Sequence, residues 1–320
     1  MKNRNVSVDL FRFLAALSIM FLHTCWGLDD SLLDAYPIIG IVIGRYPVIL
    51  FFTISGYYCF LQISKGRNAA KTQIRSLLKV YCVWTVVYYL MSFVLNVAAG
   101  HEPVGKFFAE RVLYFFTEGS YPHLWYVVSL IYVMILICLL YELCGEKGIR
   151  ILAAVSMILF MIGVLGTSYL PLGEQIPVLG DFYGWKYYFV FRNIFCLGLP
   201  GVMFGYYIVR LLPVIEKRPK LAETGFFITS VLGMIEGMLV IQKGWISDFP
   251  SMFLMPFVLI FGMSCLIRHP LGQLESHAVF LKRMSSYIYF VHPAVIAVLG
   301  FLLQVTGVHL SYWMDYIIVA

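Results

Sequence analysis

The sequence predicts an all-α fold, a polytopic transmembrane helix bundle, and three observations carry that prediction. Hydrophobic residues fill 61% of the 320 positions and charged residues only 12%, against roughly 25% charged in soluble domains. The apolar residues fall into successive runs near the length a spanning helix needs, about 20 residues. The basic residues gather in alternate connections between those runs, the pattern that orients membrane proteins. A single water-soluble domain is excluded, because so apolar a chain could not cover its surface with polar groups, whereas a bilayer accepts apolar surface on every side.

Taken in order, the runs lie near 8–26, 38–63, 77–99, 123–143, 150–170, 186–209, 223–242, 250–267, 284–305 and 312–320, about ten spans. The first reads as a retained span rather than a signal peptide: Asp9 and Arg12 sit at its start, His23 near its end, and no small-residue cleavage site follows. Pro47, Pro200 and Pro256 read as kinks within spans, which membrane helices tolerate when neighbours satisfy the freed backbone groups. Between the third and fourth runs, 100–122 carries Phe107, Phe108, Val112, Leu113, Phe115 and Phe116 among charges, an interfacial amphipathic helix. Ser311–Ala320 supplies about 15 Å of helix, half of a hydrocarbon core of about 30 Å. The last span therefore reads as truncated, and 1–320 as a single membrane-embedded domain that a cytoplasmic C-terminal domain would follow.

With the N-terminus cytoplasmic, 17 of the 23 basic residues fall on the cytoplasmic side. The intervening connections keep Lys106, Arg111, Lys186 and Lys243 and carry acids such as Asp29, Asp30, Asp34, Glu102, Glu118 and Asp181. Most of the net charge of +6 is thus topology, and nucleic acid is not an expected partner; the lipid bilayer is. The seven cysteines lie in or beside apolar runs without close ligand spacing, so they read as small buried hydrophobes rather than disulfides or a metal site.

Ionisable groups inside spans are costly and are functional candidates by default. Arg12, His23, Arg192, Glu236 and His292 stand out. Arg12 and His23 are eleven positions apart, which on a helix places them on one face about 16 Å apart. Each also has a structural reading. Arg12 would serve as a positive-inside anchor and His23 as an interfacial polar group. Arg192 would either pair with Glu236 or anchor substrate, and Glu236 alone would line a polar cavity. His292, before Pro293, would stabilise a helix break or bind substrate. His123, with Trp125 and Tyr126, would belong to an aromatic belt or to a site.

The order of motifs resembles the acyltransferase-3 family of membrane proteins. The matching pieces are Arg12 and His23 in the first span, then Phe51-Phe52-Thr53-Ile54-Ser55-Gly56-Tyr57-Tyr58, then the basic stretch from Arg75 to Lys79 before Tyr81. After these come His123-Leu124-Trp125-Tyr126, Arg192-Asn193, and Ser285 to Pro293 with His292, so the likeness runs along nearly the whole chain. It implies transfer of an acyl group from cytoplasmic acyl-coenzyme A, the donor, to a hydroxyl of a small-molecule or cell-envelope acceptor beyond a bacterial-type plasma membrane. His23 would be the general base or transient acyl carrier, because histidine titrates near neutrality. Arg12, Arg75 and Lys79 would hold the donor's phosphates. Arg192, Glu236, His123, Trp125 and His292 would meet the acceptor, and no metal is implied. Where the family often has two arginines three residues apart, Arg75 has Thr72 and Leu78 at those distances.

A second function stays open. Ser55-Gly56-Tyr57-Tyr58, Leu78-Lys79-Val80-Tyr81 and His123-Leu124-Trp125-Tyr126 lean towards a subgroup, the membrane half of serine/alanine racemases of vancomycin-type resistance. That likeness implies helices that import or present L-serine, with Arg192 or Arg12 meeting its carboxylate. Pyridoxal phosphate would then belong to a cytoplasmic domain absent from these 320 residues.

Overall fold

The computed structural model describes residues 5–26, 37–65, 69–98, 100, 102–245 and 251–306. The expected tenth span at 312–320 lies outside them, as do Lys2, Arg4, Arg67, Asp29, Asp30 and Asp34. The described residues are helical throughout their ordered elements and contain no strand. The elements are α1 (Val6–Trp26), α2 (Pro37–Ile63), α3 (Ala69–Ser92), α4 (Val104–Phe116), α5 (Trp125–Leu165), the short α6 (Leu170–Gly173), α7 (Pro177–Tyr183) and α8 (Tyr188–Phe191), then α9 (Leu199–Lys217), α10 (Lys220–Gln242), α11 (Met255–Arg268) and α12 (Ala278–Thr306).

Among the described residues seven helical stretches are long and apolar enough to cross a membrane. One of them is two helices in sequence. At 41 residues α5 would extend about 60 Å if straight, twice a hydrocarbon core. The chain turns back at Gly145, whose φ of 57° and ψ of −146° suit glycine alone. The runs expected at 123–143 and 150–170 are the two arms of this turn. The run expected at 250–267 is shorter: α11 begins at Met255, and Pro256 sits in its first turn, where its missing N–H is harmless, rather than kinking a longer helix. Pro200 does distort its span. It returns no N–H to the carbonyl of Cys196, and the turns before it, Arg192–Gly198, are wound as a π-helix.

Helices α2 and α9 form the centre of the bundle, and glycine lets them touch through their backbones. A Cβ on Gly56 would lie 2.0 Å from the Val202 carbonyl oxygen, and one on Gly205 would lie 2.1 Å from the Tyr57 nitrogen. Such small-residue contacts are a general way for membrane helices to pack closely. Around them, Val83 and Leu90 on α3, Phe227 and Leu239 on α10 and Phe301 and Val305 on α12 are exposed. Water would penalise that surface, while lipid matches it. Helix α4 forms where an interfacial helix was expected, with Phe108, Val112 and Phe116 exposed at four-residue spacing.

The basic connections meet at one end of the bundle. Asn5 caps α1 through bonds from the Ser7 and Val8 amides, and its side chain reaches the Ile267 carbonyl at 2.8 Å. Lys71 pairs with Glu142 at 2.5 Å, Arg210 pairs with Glu146, and Arg268 bonds the Pro219 carbonyl. The sequence reading of the cysteines as buried hydrophobes holds for Cys59, Cys138 and Cys196 but not for Cys82 and Cys144, which are exposed, and those described are free thiols.

Candidate functional site

At the opposite end a cavity of about 570 Å³ opens between α1, α2, α3, α4 and the start of α5. His23 and His123 both line it, with Trp125, Ser92, Asn96 and Arg111 among the other walls. The volume lies within the usual range for small-ligand sites, about 300–1,000 Å³.

The sequence holds His123 in place by a run of local bonds. Pro122–Leu124 make a single 3₁₀ turn before α5, and the preceding segment is tied to α3. Tyr81 donates to the Phe115 carbonyl at 2.7 Å, and the Thr85 and Ser120 hydroxyls are 2.7 Å apart. Tyr289 of α12 donates to the His123 carbonyl. The imidazole packs on edge against Tyr88, with ring centres 4.9 Å apart, and against Tyr289 at 5.4 Å. It is 5% exposed, and neither ring nitrogen has a hydrogen-bond partner among the described residues. A belt residue would face lipid; His123 faces the cavity.

His292 stands behind both cavity histidines, 5.3 Å from the His23 ring and 5.8 Å from the His123 ring. Its Nδ1 is 2.8 Å from the Ile288 carbonyl oxygen. A carbonyl only accepts, so Nδ1 carries the proton and Nε2 keeps its lone pair. Three histidines from α1, α12 and the α5 entry thus meet at the inner end of the cavity.

Arg12 faces the same α2 and α12 surfaces from the other end of α1. Its guanidinium lies 5.6 Å from the centre of the Phe51 ring, and Nη2 is 3.5 Å from the Ser286 hydroxyl. Between Arg12 and the histidines the aromatic rings close the path. Phe51 is 6.1 Å from both Tyr126 and Tyr289, which are 5.6 Å from each other. The void left among them and the two cavity histidines is about 30 Å³, room for a water molecule or two.

The other expected residues divide. Trp125 lines the cavity and packs on Phe52. Arg75 and Lys79 are exposed on α3, four residues apart on one face. Arg192 is buried in the π-helix, bonds the Asn193 side chain at 3.1 Å and stacks over Phe189, which itself lines the cavity. Glu236 does not pair with Arg192. Its carboxylate accepts from Tyr169 at 2.8 Å and from the Phe253 and Leu254 amides at 2.7 and 3.0 Å, just ahead of α11. Negative charge there also suits the α11 dipole, so Glu236 holds α11 to α10, away from the cavity lining.

Of the tyrosines that frame His123, Tyr88 and Tyr121 were not singled out by sequence, and Tyr289 only as part of the stretch from Ser285 to Pro293. A signal existed on α3, where Tyr81, Trp84 and Tyr88 fall at i, i+3 and i+7 and form one buried face.

Comparison with known proteins agrees with this architecture. The chain is 28% identical to a serine/alanine racemase of Enterococcus gallinarum over 99% of its own length and 44% of that protein's. It is 25% identical to an amino-acid racemase of Enterococcus faecalis over 93% of its length and 42% of that protein's. The chain thus spans less than half the length of these relatives. No solved structure matches it. The sequence profile of the acyltransferase-3 family, described as an acyltransferase domain, matches residues 5–320, and the chain belongs to that family of membrane proteins.

Proposed function

We propose that this chain is a membrane acyltransferase that takes an acyl group from acyl-coenzyme A at its basic end and passes it to a hydroxyl in the histidine-lined cavity. The observation that carries this reading is the convergence of His23, His123 and His292 at the inner end of a cavity, with Arg12 on the far side of Phe51 along the same helix. His23 accepts the proton of the acceptor hydroxyl as its oxygen attacks the thioester carbonyl. The tetrahedral adduct collapses to an ester, and the departing thiolate takes the proton back from His23, leaving coenzyme A as the free thiol. His292 steadies His23, and His123 with Trp125 holds the acceptor. Arg12, with Arg75 and Lys79 on the exposed face of α3, meets the donor phosphates by charge-assisted bonds. The phosphopantetheine arm enters past Phe51, Tyr126 and Tyr289, whose rings move aside. The setting is a bacterial-type plasma membrane with the N-terminus cytoplasmic, an orientation that the basic end supports.

The test is acyl transfer by purified protein in lipid nanodiscs supplied with acetyl-coenzyme A and candidate acceptors. His23→Ala should lower turnover by about 10²–10⁴-fold, the range of a general base. Turnover equal to wild type would reject the role of His23.

A second reading is favoured by the racemase names of the relatives, which this chain matches along nearly all of its own length. In it the cavity receives L-serine and presents it to a pyridoxal-phosphate domain beyond these residues. Uptake of labelled L-serine into vesicles, without consumption of acetyl-coenzyme A, would establish this reading over acyl transfer.

A further inference from the structure

We infer that Arg111 makes the cavity selective for a hydroxyl-bearing anion, binding a carboxylate or phosphate of the ligand while the ligand's hydroxyl faces His23 and His123. The inference rests on the reading that the cavity admits the hydroxyl substrate, and it deepens that reading by naming the substrate's charge.

Arg111 belongs to α4 and lines the cavity wall. Tyr89 donates to its backbone carbonyl, which fixes this turn of α4 against α3. Its guanidinium lies against Phe107 at 4.9 Å and Tyr114 at 5.9 Å, so aromatic faces hold the plane of the group. The side chain is only 20% exposed. Its charge partner is Glu102, at 3.9 Å, which is beyond hydrogen-bond distance. A guanidinium carries five N–H donors, and among the described residues none of those of Arg111 makes a hydrogen bond; Nε is shut off from solvent as well.

The buried Nε, with no protein acceptor among the described residues, carries a desolvation cost as it stands. An oxyanion completes it, because the fork of two parallel N–H groups matches carboxylate and phosphate geometry. The rest of the cavity is arranged for the other end of such a ligand. His123 borders this end with two ring nitrogens that are buried and unpartnered among the described residues, and Ser92, Asn96 and Ser120 offer neutral polar groups in between. Glu118 also lines the cavity but is exposed at its rim, where water screens it. Arg192, an anchor candidate from the sequence, lies over Phe189, whose ring forms part of this wall.

The test measures binding to the full chain in nanodiscs with three probes of similar size: glycerate, glycerol 3-phosphate and glycerol. Both anions, or one of them, should raise the thermal midpoint of wild type in a saturable way, and glycerol should not. Protection by glycerate alone identifies a carboxylate ligand, and by glycerol 3-phosphate alone a phosphate ligand. Arg111→Gln should weaken anion binding about 10- to 100-fold, and Arg111→Lys should weaken it less, since it keeps the charge and loses the fork. Gel filtration of each variant shows that it is folded, and the Lys variant serves if the Gln variant is not. Equal protection by glycerol, no protection by any probe, or unchanged anion affinity in folded Arg111→Gln would overturn the proposal. Acyl transfer is assayed separately: Arg111-dependent anion binding without any turnover would remove the acyltransferase reading and leave this one standing.

Discussion

His292 turns Nδ1 onto the carbonyl of its own helix at Ile288 and stands 5.3 Å from the ring of His23 on α1. One histidine is thereby oriented by backbone and is placed to support a second that lines the cavity. His292→Ala should lower acyl transfer by roughly 10- to 100-fold, less than His23→Ala. In the double variant the two losses should not multiply, because residues acting as a unit are non-additive. Single-turnover rates of the four proteins provide the cycle, and strict multiplication would show that the two histidines act independently.

Glu236 has a different fate. Its carboxylate accepts from the Phe253 and Leu254 amides at the start of α11 and from the Tyr169 hydroxyl beyond the end of α5. Glu236→Ala should destabilise the protein by on the order of 3 kcal/mol through unsatisfied buried donors. Thermal unfolding in nanodiscs measures this. A midpoint equal to wild type would contradict a capping role.

The contact between α2 and α9 leaves no room for a methyl group. Gly205→Ala would place a carbon 2.1 Å from the Tyr57 nitrogen, and both sides of that contact are backbone. A cost of at least about 2 kcal/mol follows from overpacking. The expected result is a strong loss of folded protein on gel filtration, whereas Gly105→Ala, with nothing within 4 Å, should be neutral.

Orientation is open to chemical labelling. In a background without native cysteine, Glu118→Cys at the cavity rim should react with an impermeant maleimide on intact cells, and Lys217→Cys at the basic end only after lysis. The reverse pattern would invert the assigned topology.

Much of the bundle was legible because spans are written in hydropathy and charge. The two arms of α5 separate in the sequence at a short polar stretch with Glu142, Glu146 and Lys147, where Gly145 supplies the turn. Pro256 was misread as a kink because a proline in the first turn of a helix and one in its middle look alike without knowing where the helix starts. In the site, His23 was legible as an ionisable residue in an apolar run, and His123 through the His123-Leu124-Trp125-Tyr126 motif. Arg111 was not, because its exposed helix-mates made α4 look wholly interfacial, and only packing shows which face of α4 turns inward. Glu236 posed the opposite difficulty: an acid in a span looks functional, and its three donors come from residues distant in sequence or in a turn.

The small void among Phe51, Tyr126, Tyr289 and the cavity histidines bears on the membrane as an electrical barrier. A space for a water molecule or two is short of the continuous file of waters along which protons hop. A bundle with an arginine towards one face and a histidine-lined basin towards the other would otherwise be a leak, with each charge crossing a 100 mV potential releasing about 2.3 kcal/mol. The aromatic rings at this narrow point thus oppose such a leak between the arginine end and the histidine end of the bundle.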